Sequence, residues 1–497
     1  MARKFILLAA AAACLAPASY SEAPAQTFKQ AQPISARERQ QGTEAHAGIV
    51  AQYGGPYSGP QAPYAVRVGQ RIAVQSGLGA TPQSFTVTLL NSPANNAFAI
   101  PGGYVYVTRQ LMALMNDEAE LAAVLGHEVG HVAARHSAKR QKVATRNTVL
   151  GALGQVLVGA VAGNSGLGQL LSKGVGTGSQ LATLGFSRTQ ETQADDLAVQ
   201  YLVRAGYDPA ALSTMLRSLA AQESLEQRIS GNARSVPEWA STHPEPGSRV
   251  QRAAAQAAAS RAASQAAASR AAGLRNRDGF LSAIDGMMYG EDPAQGVIEG
   301  RSFLHRDYRL AFTIPQGFTM QNGTDAVSIS GPNAQAQFGT ASYNGSLEEY
   351  VSSVLGALGG SGGRVPQADV RRTTVNGIPA AYAQIRASSG STPVDVTVFA
   401  YAPASNRAYH FVALTPAGQG LGAMESMVGS FRTLSASEAA AIKARYVRVL
   451  TVKAGDTPAS LAGRMAYSDY KLERFLVLNG LASGSRLAPG QKVKIIG

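Results

Sequence analysis

The stretch "LGHEVGHVAARH", residues 125–136, contains three of the chain's seven histidines. His127, Glu128 and His131 form the pattern H-E-x-x-H. Residues four apart on a helix share one face, so both imidazoles can reach the same ion. Glu128 is offset from that face and can reach a water beside the ion. The pattern predicts one Zn²⁺ per chain, which lowers the pKa of that water, with Glu128 taking its proton as it attacks a carbonyl.

Two histidine ligands do not complete a zinc site of this kind, and His136 is poorly placed to be the third ligand. It lies five residues after His131, which turns a helix by about 500°. We therefore interpret His136 as a structural or surface residue. The better source is "FSRTQETQADD", residues 186–196, where Glu191 and Asp195 lie four apart on a second predicted helix. One carboxylate can bind zinc, and the other can orient a ligand histidine.

Three segments in order, "NAFAIPGGYVYVTRQL", "ELAAVLGHEVGHVAARH" and "SRTQETQAD…AGYDP", resemble the gluzincin zinc metallopeptidases of the CAAX prenyl protease family, in its bacterial periplasmic branch. The resemblance covers roughly residues 35–250. It implies that His127, His131 and Glu191 are the metal ligands, that Glu128 is the general base, and that Asp195 supports the ligands. The long apolar helices of the intramembrane members are lacking, so a prenylated substrate is not implied.

The same resemblance implies a place for the substrate. The "NAFAIPGG" strand, with Asn96, Ala97 and Phe98, would lie along the cleft as an edge strand for a peptide. Asn96 would then be near the scissile bond.

His243 lies in "STHPEPGSRV", residues 241–250, which also looks like a segment of that branch. Pro244 and Pro246 restrict the shapes of this loop. Its imidazole could swing onto the metal as a regulatory ligand, or it could stabilise the oxyanion. A loop histidine that only packs or caps is the remaining alternative. We favour a latent enzyme in which His243 occupies the position that the attacking water needs.

The last fifty residues resemble a LysM module. The segments "LTVKAGDTPASLAGRM" and "LERFLVLNGLASGSRLAPGQKVKI" have its strand–helix–helix–strand order. LysM modules bind glycans that contain N-acetylglucosamine, so the resemblance implies peptidoglycan as a partner. Pro458 departs from the pattern, because an aliphatic residue usually comes after G-D-T.

The predicted fold class is a multidomain α+β chain. A mainly α-helical zincin domain with a small β-hairpin or sheet comes first, followed by an α+β domain that loosely resembles PsbP-like domains and by the LysM-like βααβ module. The expected segments are a signal peptide (1–25), the zinc metallopeptidase domain (26–250), an Ala-rich helical spacer (251–299), the α+β domain of unassigned role (300–435) and the LysM-like module (446–497).

The N-terminus indicates export. A basic start, an apolar run and small-residue cleavage sites predict a signal peptide, so we expect the periplasm. Cleavage would remove Cys14, the chain's single cysteine. Lipid anchoring through Cys14 is the alternative. The apolar segment 149–163 is too short to span a bilayer and predicts a buried helix or flap, with peripheral membrane contact as the alternative.

Composition restricts the partners. The formal charge is +13, but Lys and Arg are dispersed, so nucleic acid is not expected as a partner. We expect a zinc endopeptidase that degrades unfolded or misassembled envelope proteins. The rival is a chaperone-like or wall-tethered binding protein for outer-membrane protein assembly, with little proteolysis.

Overall fold

The computed structural model describes residues 31–137, 186–230, 239, 242–244, 246–266, 273–324, 326–358, 368–389 and 392–497. The predicted signal peptide, Cys14 and the apolar segment 149–163 lie outside these ranges. Within them, no helix is both long and apolar enough to cross a membrane.

The first part of the chain builds a small sheet against helices. Its elements are α1 (Ala36–Gln52), α2 (Gln61–Ala73), β1 (Thr86–Leu90), β2 (Ala97–Ile100), β3 (Tyr104–Thr108), α3 (Arg109–Leu114) and α4 (Glu118–Ala133). The strand order is β1-β3-β2, with β2 antiparallel to β3 at the edge. Strands β2 and β3 thus form a hairpin around Pro101 within the small sheet that the sequence predicts for this domain. Gly102 in its turn has φ +97°, and a Cβ there would lie 2.6 Å from the Glu38 carbonyl oxygen, so the turn requires glycine.

Helix α4 runs through the middle of the core. Asp117 caps its first turn by accepting a hydrogen bond from the Glu120 N–H, and the Glu120 carboxylate accepts the Asn116 N–H. Leu121, Leu125 and Val129 are fully or almost fully buried. Helices α2, α5 (Arg188–Arg204) and α6 (Ala211–Ser230) pack against α4. The H-E-x-x-H motif is thereby placed on a helix that is supported on several sides.

The Ala-rich region makes more contacts than a spacer would need. Helix α7 (Pro246–Ala266) begins inside the expected peptidase domain and packs along α6. Helix α8 (Arg277–Ile284) comes after it and buries Phe280, Leu281 and Ile284 in the same core as α4. The chain then forms β4 (Met288–Tyr289). This region therefore joins the core around α4 to the C-terminal half of the chain.

A separate β-rich unit comes next. One sheet has the order β11-β12-β13-β14-β10-β9-β8 and a smaller one the order β15-β7-β6-β5. The strands are β5 (Val297–Glu299), β6 (Ser302–His305), β7 (Leu310–Thr313), β8 (Thr319–Asn322), β9 (Val327–Ser330), β10 (Gln335–Thr340), β11 (Arg371–Val375), β12 (Ile378–Ser389), β13 (Thr392–Ala404), β14 (Arg407–Pro416) and β15 (Arg432–Thr433). Helices α9 (Leu347–Leu358) and α10 (Glu425–Gly429) complete the unit. Helix α9 covers one face of the large sheet, so the predicted antiparallel α+β architecture is confirmed.

The C-terminal module has the predicted βααβ order. After α11 (Ala436–Ala441), its elements are β16 (Arg445–Thr451), α12 (Pro458–Gly463), α13 (Lys471–Leu478) and β17 (Lys492–Ile496). Strand β16 pairs with β17 and also with β4. Phe475, Val493 and Ile496 belong to the same hydrophobic cluster as α4. The module is thus packed onto the core around α4.

Candidate metal centre

The H-E-x-x-H residues lie on α4 in the predicted geometry. His127, Glu128 and His131 are each at most 3% exposed. The Nε2 atoms of His127 and His131 are 3.0 Å apart. Helical spacing alone therefore brings two imidazole nitrogens to one point in the interior.

Glu191 comes from α5, which lies directly against α4. Ser187 and Gln190 form a capping box that begins this helix. The two helices can approach closely because Gly130 faces α5. A Cβ at Gly130 would lie 3.1 Å from the Ala194 carbonyl oxygen. The Glu191 carboxylate oxygens lie 3.3 Å from His131 Nε2 and 3.5 Å from His127 Nε2.

His243 joins this group from a distant part of the sequence. Its Nδ1 lies 3.3 Å from His127 Nε2 and 3.0 Å from a Glu191 oxygen. The imidazole is 1% exposed. The structure therefore places His243 among the ligand atoms, and its Nε2 lies 3.5 Å from Glu128 Oε1.

These four residues fit a zinc ion. One ligand atom from each of His127, His131, Glu191 and His243 lies within 4.8 Å of the other three. Zinc–nitrogen bonds of about 2.0–2.1 Å in a tetrahedron put neighbouring ligand atoms about 3.3 Å apart. The distances above, 3.0–3.5 Å, bracket that value. Several of these ligand nitrogens point at one another, which is the arrangement expected when a cation lies between them.

Asp195 supports His127 from the side away from the ligand group. Its Oδ1 lies 2.9 Å from His127 Nδ1, which leaves Nε2 to face the metal. Asp195 is in turn held by Arg249, whose Nε donates to Oδ2 at 2.7 Å. Arg249 also contacts Glu191. Sequence reasoning missed Arg249, although it lies in the same "STHPEPGSRV" segment as His243.

His136 is buried and contacts His131, one of the candidate ligands. Its Nδ1 lies 2.9 Å from His131 Nδ1, and its Nε2 lies 3.0 Å from Gln193 Oε1. If His136 donates from Nε2 to the amide oxygen, its Nδ1 accepts the His131 Nδ1–H. His131 then presents an unprotonated Nε2 to the metal. The sequence-based view that His136 is not on the ligand face holds, but its supporting contact was missed.

Glu128 is buried beside the ligands without being one of them. Its Oε1 has no hydrogen-bond partner among the described residues. Burial raises the pKa of its carboxyl, with the neighbouring His243 and His127 acting in the opposite direction. A buried carboxylate with an unoccupied acceptor atom is suited to take a proton from a water at that place.

The charges around the ligands suit a metal. Burial alone would raise the pKa of Glu191, but His243, His127 and His131 lower it well below the ordinary range. Burial lowers the pKa of His131. An ionised Glu191 and a neutral His131 are the protonation states that metal binding requires. Burial alone would lower the pKa of His127, but Asp195 and Glu191 raise it to about 9, so His127 releases a proton when a metal binds.

The predicted substrate strand is largely covered in the structure. Asn96 is 2% exposed, and its Nδ2 donates to the Tyr53 hydroxyl at 3.1 Å. Ala97 is completely buried, and Phe98 stacks on Tyr106. Trp239 connects the start of this strand to the ligand group, since it contacts both Asn95 and His243. Sequence reasoning missed this tryptophan.

Two histidines and a glutamate from adjacent helices, with a second glutamate beside them, form the H-E-x-x-H arrangement in which zinc metallopeptidases hold their metal. Residues 61–257 match the model of Peptidase family M48, and residues 450–495 match the LysM domain. The chain therefore carries a peptidase family M48 domain and a LysM domain, and both resemblances seen in the sequence are confirmed.

Relatives of the peptidase region are known. The chain is 33% identical over 190 residues to the beta-barrel assembly-enhancing protease of Escherichia coli O157:H7, covering 38% of this chain and 37% of the relative. It is 34% identical over 193 residues to the protein of that name from Yersinia pestis, covering 38% and 37%. It is 31% identical over 218 residues to the mitochondrial metalloendopeptidase OMA1 of Schizosaccharomyces pombe, covering 43% and 59%. The chain thus spans little more than a third of the length of the bacterial relatives.

Proposed function

We propose that this chain is a periplasmic zinc endopeptidase that cuts extended segments of unfolded or misassembled envelope proteins. One observation carries the proposal: the ligand atoms of His127, His131 and Glu191 are spaced for zinc, and the buried Glu128 carboxylate lies beside them. The names of the bacterial relatives support an envelope role.

The residues divide the chemistry among themselves. Zinc at this site would polarise the substrate carbonyl and lower the pKa of the attacking water. Glu128 takes the proton at its carboxylate and delivers it to the leaving amine. Asp195 and Arg249 fix the orientations of His127 and Glu191.

His243 would hold the zinc as a fourth ligand in the resting chain. This role is supported by its Nδ1 lying among the ligand atoms. A fourth protein ligand fills the position that catalytic zinc sites keep open. The resting enzyme is therefore latent, and His243 must leave before a substrate carbonyl can approach. In the alternative role, as an oxyanion stabiliser, the imidazole stays near its present place and donates from Nε2.

The substrate is bound as a β-strand along β2, beginning beside Asn96. This arrangement is supported by the edge position of β2 in its sheet. Main-chain pairing accepts any sequence in an extended conformation. Such a site favours unfolded chains over folded ones.

The remaining parts of the chain determine where the enzyme acts. The LysM domain binds peptidoglycan, and the predicted signal peptide exports the chain to the periplasm. The β-rich unit resembles PsbP-like domains and has no assigned chemistry. Segment 149–163 is a candidate for peripheral membrane contact.

A digestion experiment tests the proposal. The purified zinc-loaded chain should cleave an unfolded β-barrel protein at internal bonds and leave the folded barrel intact. A chelator should stop cleavage, and zinc should restore it. Absence of cleavage of every unfolded substrate, by both wild type and His243→Ala, would contradict the proposal.

Complementation of a deletion strain distinguishes the endopeptidase from the chaperone-like alternative. The Glu128→Gln chain keeps the binding surfaces and loses the proposed base. If it restores the envelope of a deletion strain as well as wild type does, binding is the main function. We expect it to fail.

A further inference from the structure

We propose that Trp239 is a latch that couples the substrate strand to His243, so that the enzyme is released only by extended substrates that reach Asn95. The inference rests on the proposed function and adds the property of the substrate that activates it. It is carried by two contacts that Trp239 makes on opposite sides.

The first contact is with the edge of β2, along which the substrate is proposed to pair. Strand β2 pairs with β3 so that Phe98 lies opposite Tyr106, and the Asn96 carbonyl accepts the Thr108 N–H. Hydrogen-bonded and non-hydrogen-bonded pairs alternate in an antiparallel ladder. The main-chain groups of Asn95, Ala97 and Ala99 therefore face away from β3, toward an added strand. The Trp239 N–H donates to the Asn95 carbonyl at 3.1 Å.

Trp239 therefore uses a main-chain acceptor in the row that a substrate strand would use. Ala97 is 0% exposed although it lies in an edge strand, so this edge is covered in the present conformation. A substrate that pairs along Ala99 and Ala97 and continues to Asn95 must take this carbonyl from Trp239.

The second contact is on His243. The two rings stack with centroids 4.1 Å apart and an interplanar angle of 20°. The His243 N–H also donates to the Trp239 carbonyl at 2.8 Å. Through these contacts Trp239 holds the imidazole among the ligand atoms. It is a positioning residue, since its ring lies against the imidazoles of His243 and, with centroids 6.0 Å apart, His127, and not against the predicted zinc directly.

The main-chain contact with Asn95 and the ring contact with His243 are made by one residue, so a displacement of Trp239 breaks both. A strand that displaces the Trp239 N–H from Asn95 removes the ring that supports His243. The indole Nε1–H has no hydrogen-bond partner among the described residues and is part of a side chain that is 3% exposed. Release would let this donor reach water or substrate, which favours opening. Short peptides that pair only at the partly exposed Ala99 would leave the latch closed.

Zinc affinity tests the His243 side without any substrate. Trp239→Ala should weaken zinc binding by about 10- to 100-fold, as the loss of a ligand-orienting partner does. Trp239→Phe keeps a stacking ring and should bind zinc as wild type does, which also controls for folding. Equal zinc affinity of Trp239→Ala and wild type would overturn the proposal.

Fluorescence tests the substrate side. Trp239 is the chain's single tryptophan, so indole emission reports on this residue alone. The zinc-loaded Glu128→Gln chain is titrated with a series of unstructured peptides of one sequence, shortened stepwise from either end, and binding is monitored by the anisotropy of a peptide label. Long peptides should shift the emission to the red, and peptides below a threshold length should bind without a shift.

The outcomes separate the latch from the activity. Cleavage by wild type, with peptides of every length bound and indole emission unchanged, would overturn the latch and leave the endopeptidase standing. A length-dependent emission shift in a chain that cleaves nothing would support the latch and contradict the endopeptidase.

Discussion

His131 is held at both ring nitrogens, and this determines what it can offer a metal. Nε2 faces the other ligands, while Nδ1 contacts His136, which is itself anchored on Gln193. The chain of contacts selects the tautomer with the proton on Nδ1. His127 is held in the same way by Asp195.

The contribution of His136 to the orientation of His131 can be measured as a change in zinc affinity. His136→Ala should weaken zinc binding by about 10- to 100-fold, because the orientation of His131 is lost. His136→Asn places an amide oxygen where Nδ1 was and should retain most of the affinity. Competition with a chromogenic chelator gives both values. Equal affinities of wild type and His136→Ala would show that the contact does not orient His131.

At the scale of single residues, the sequence predicts which residues share a helix face. It does not predict which residues from other segments contact them. Residues i and i+4 on a helix must share a face, so the positions of His127 and His131 could be predicted from the pattern. Arg249, Trp239 and His136 could not be found in that way. Their contacts depend on how distant segments or a helix end fold back onto α4, which no local pattern encodes.

Among the elements, α4 is held at its first turn by a buried carboxylate. Glu118 is 4% exposed and accepts hydrogen bonds from the hydroxyls of Tyr64 and Tyr207 and from Asn276. Burial alone would raise the pKa of Glu118, but these hydrogen bonds lower it below the ordinary value. The carboxylate ties α4 to α2, to the end of α5 and to the segment before α8.

The lowered pKa gives stability a pH dependence with a definite sign. A carboxylate whose folded pKa lies below its unfolded value, about 4.3, stabilises the fold above that value and loses the contribution as the pH falls through the folded pKa. Glu118→Gln should therefore cost about 1.5–3 kcal/mol at neutral pH, the scale of hydrogen bonds to a charged group. Chemical denaturation of both chains at several pH values measures the gap.

We expect the gap between wild type and Glu118→Gln to shrink below about pH 4.3. The exposed Glu44→Gln should show no comparable gap at any pH. A gap that stays constant from neutral to acidic pH would mean that the charge of Glu118 is not what holds the helix.

Element order and type were largely predictable, and packing was not. The hairpin, the two zinc-site helices and the βααβ module could be predicted from alternation, capping residues and turn signals. The Ala-rich stretch shows the limit, because an Ala-rich helix has good propensity whether or not it packs. That α7 lies along α6, and that α8 enters the core, could not be read from composition.

In the whole molecule, the LysM domain and the peptidase domain share one core. Lys494 on β17 is completely buried, and its Nζ donates to the carbonyls of Ala113, Leu114 and Met115 at 2.5–3.3 Å. These carbonyls lie at the end of α3, immediately before α4. A glycan held by the domain would therefore fix the orientation of the cleft relative to the wall.

A substitution of Lys494, which joins β17 to the end of α3, should affect the zinc site. Lys494→Met leaves the α3 carbonyls without their donor and should cost about 1.5–3 kcal/mol, lowering the temperature at which zinc is released. Lys492→Met lies two residues away, where the exposed Nζ donates to Ser282. This variant is the control and should change stability by less than about 0.5 kcal/mol. Thermal unfolding monitored by a zinc indicator measures both. If Lys494→Met leaves zinc release unchanged, the two domains are mechanically independent.

The most direct test of the account combines zinc content with proteolysis in the Glu128→Gln chain. Glu128 is not a ligand in the structure, so the variant should retain one zinc per chain. Loss of the proton acceptor should slow cleavage of unfolded casein by about 100- to 10,000-fold. Cleavage at the wild-type rate by zinc-loaded Glu128→Gln would contradict the assignment of the base and, with it, the proposed mechanism.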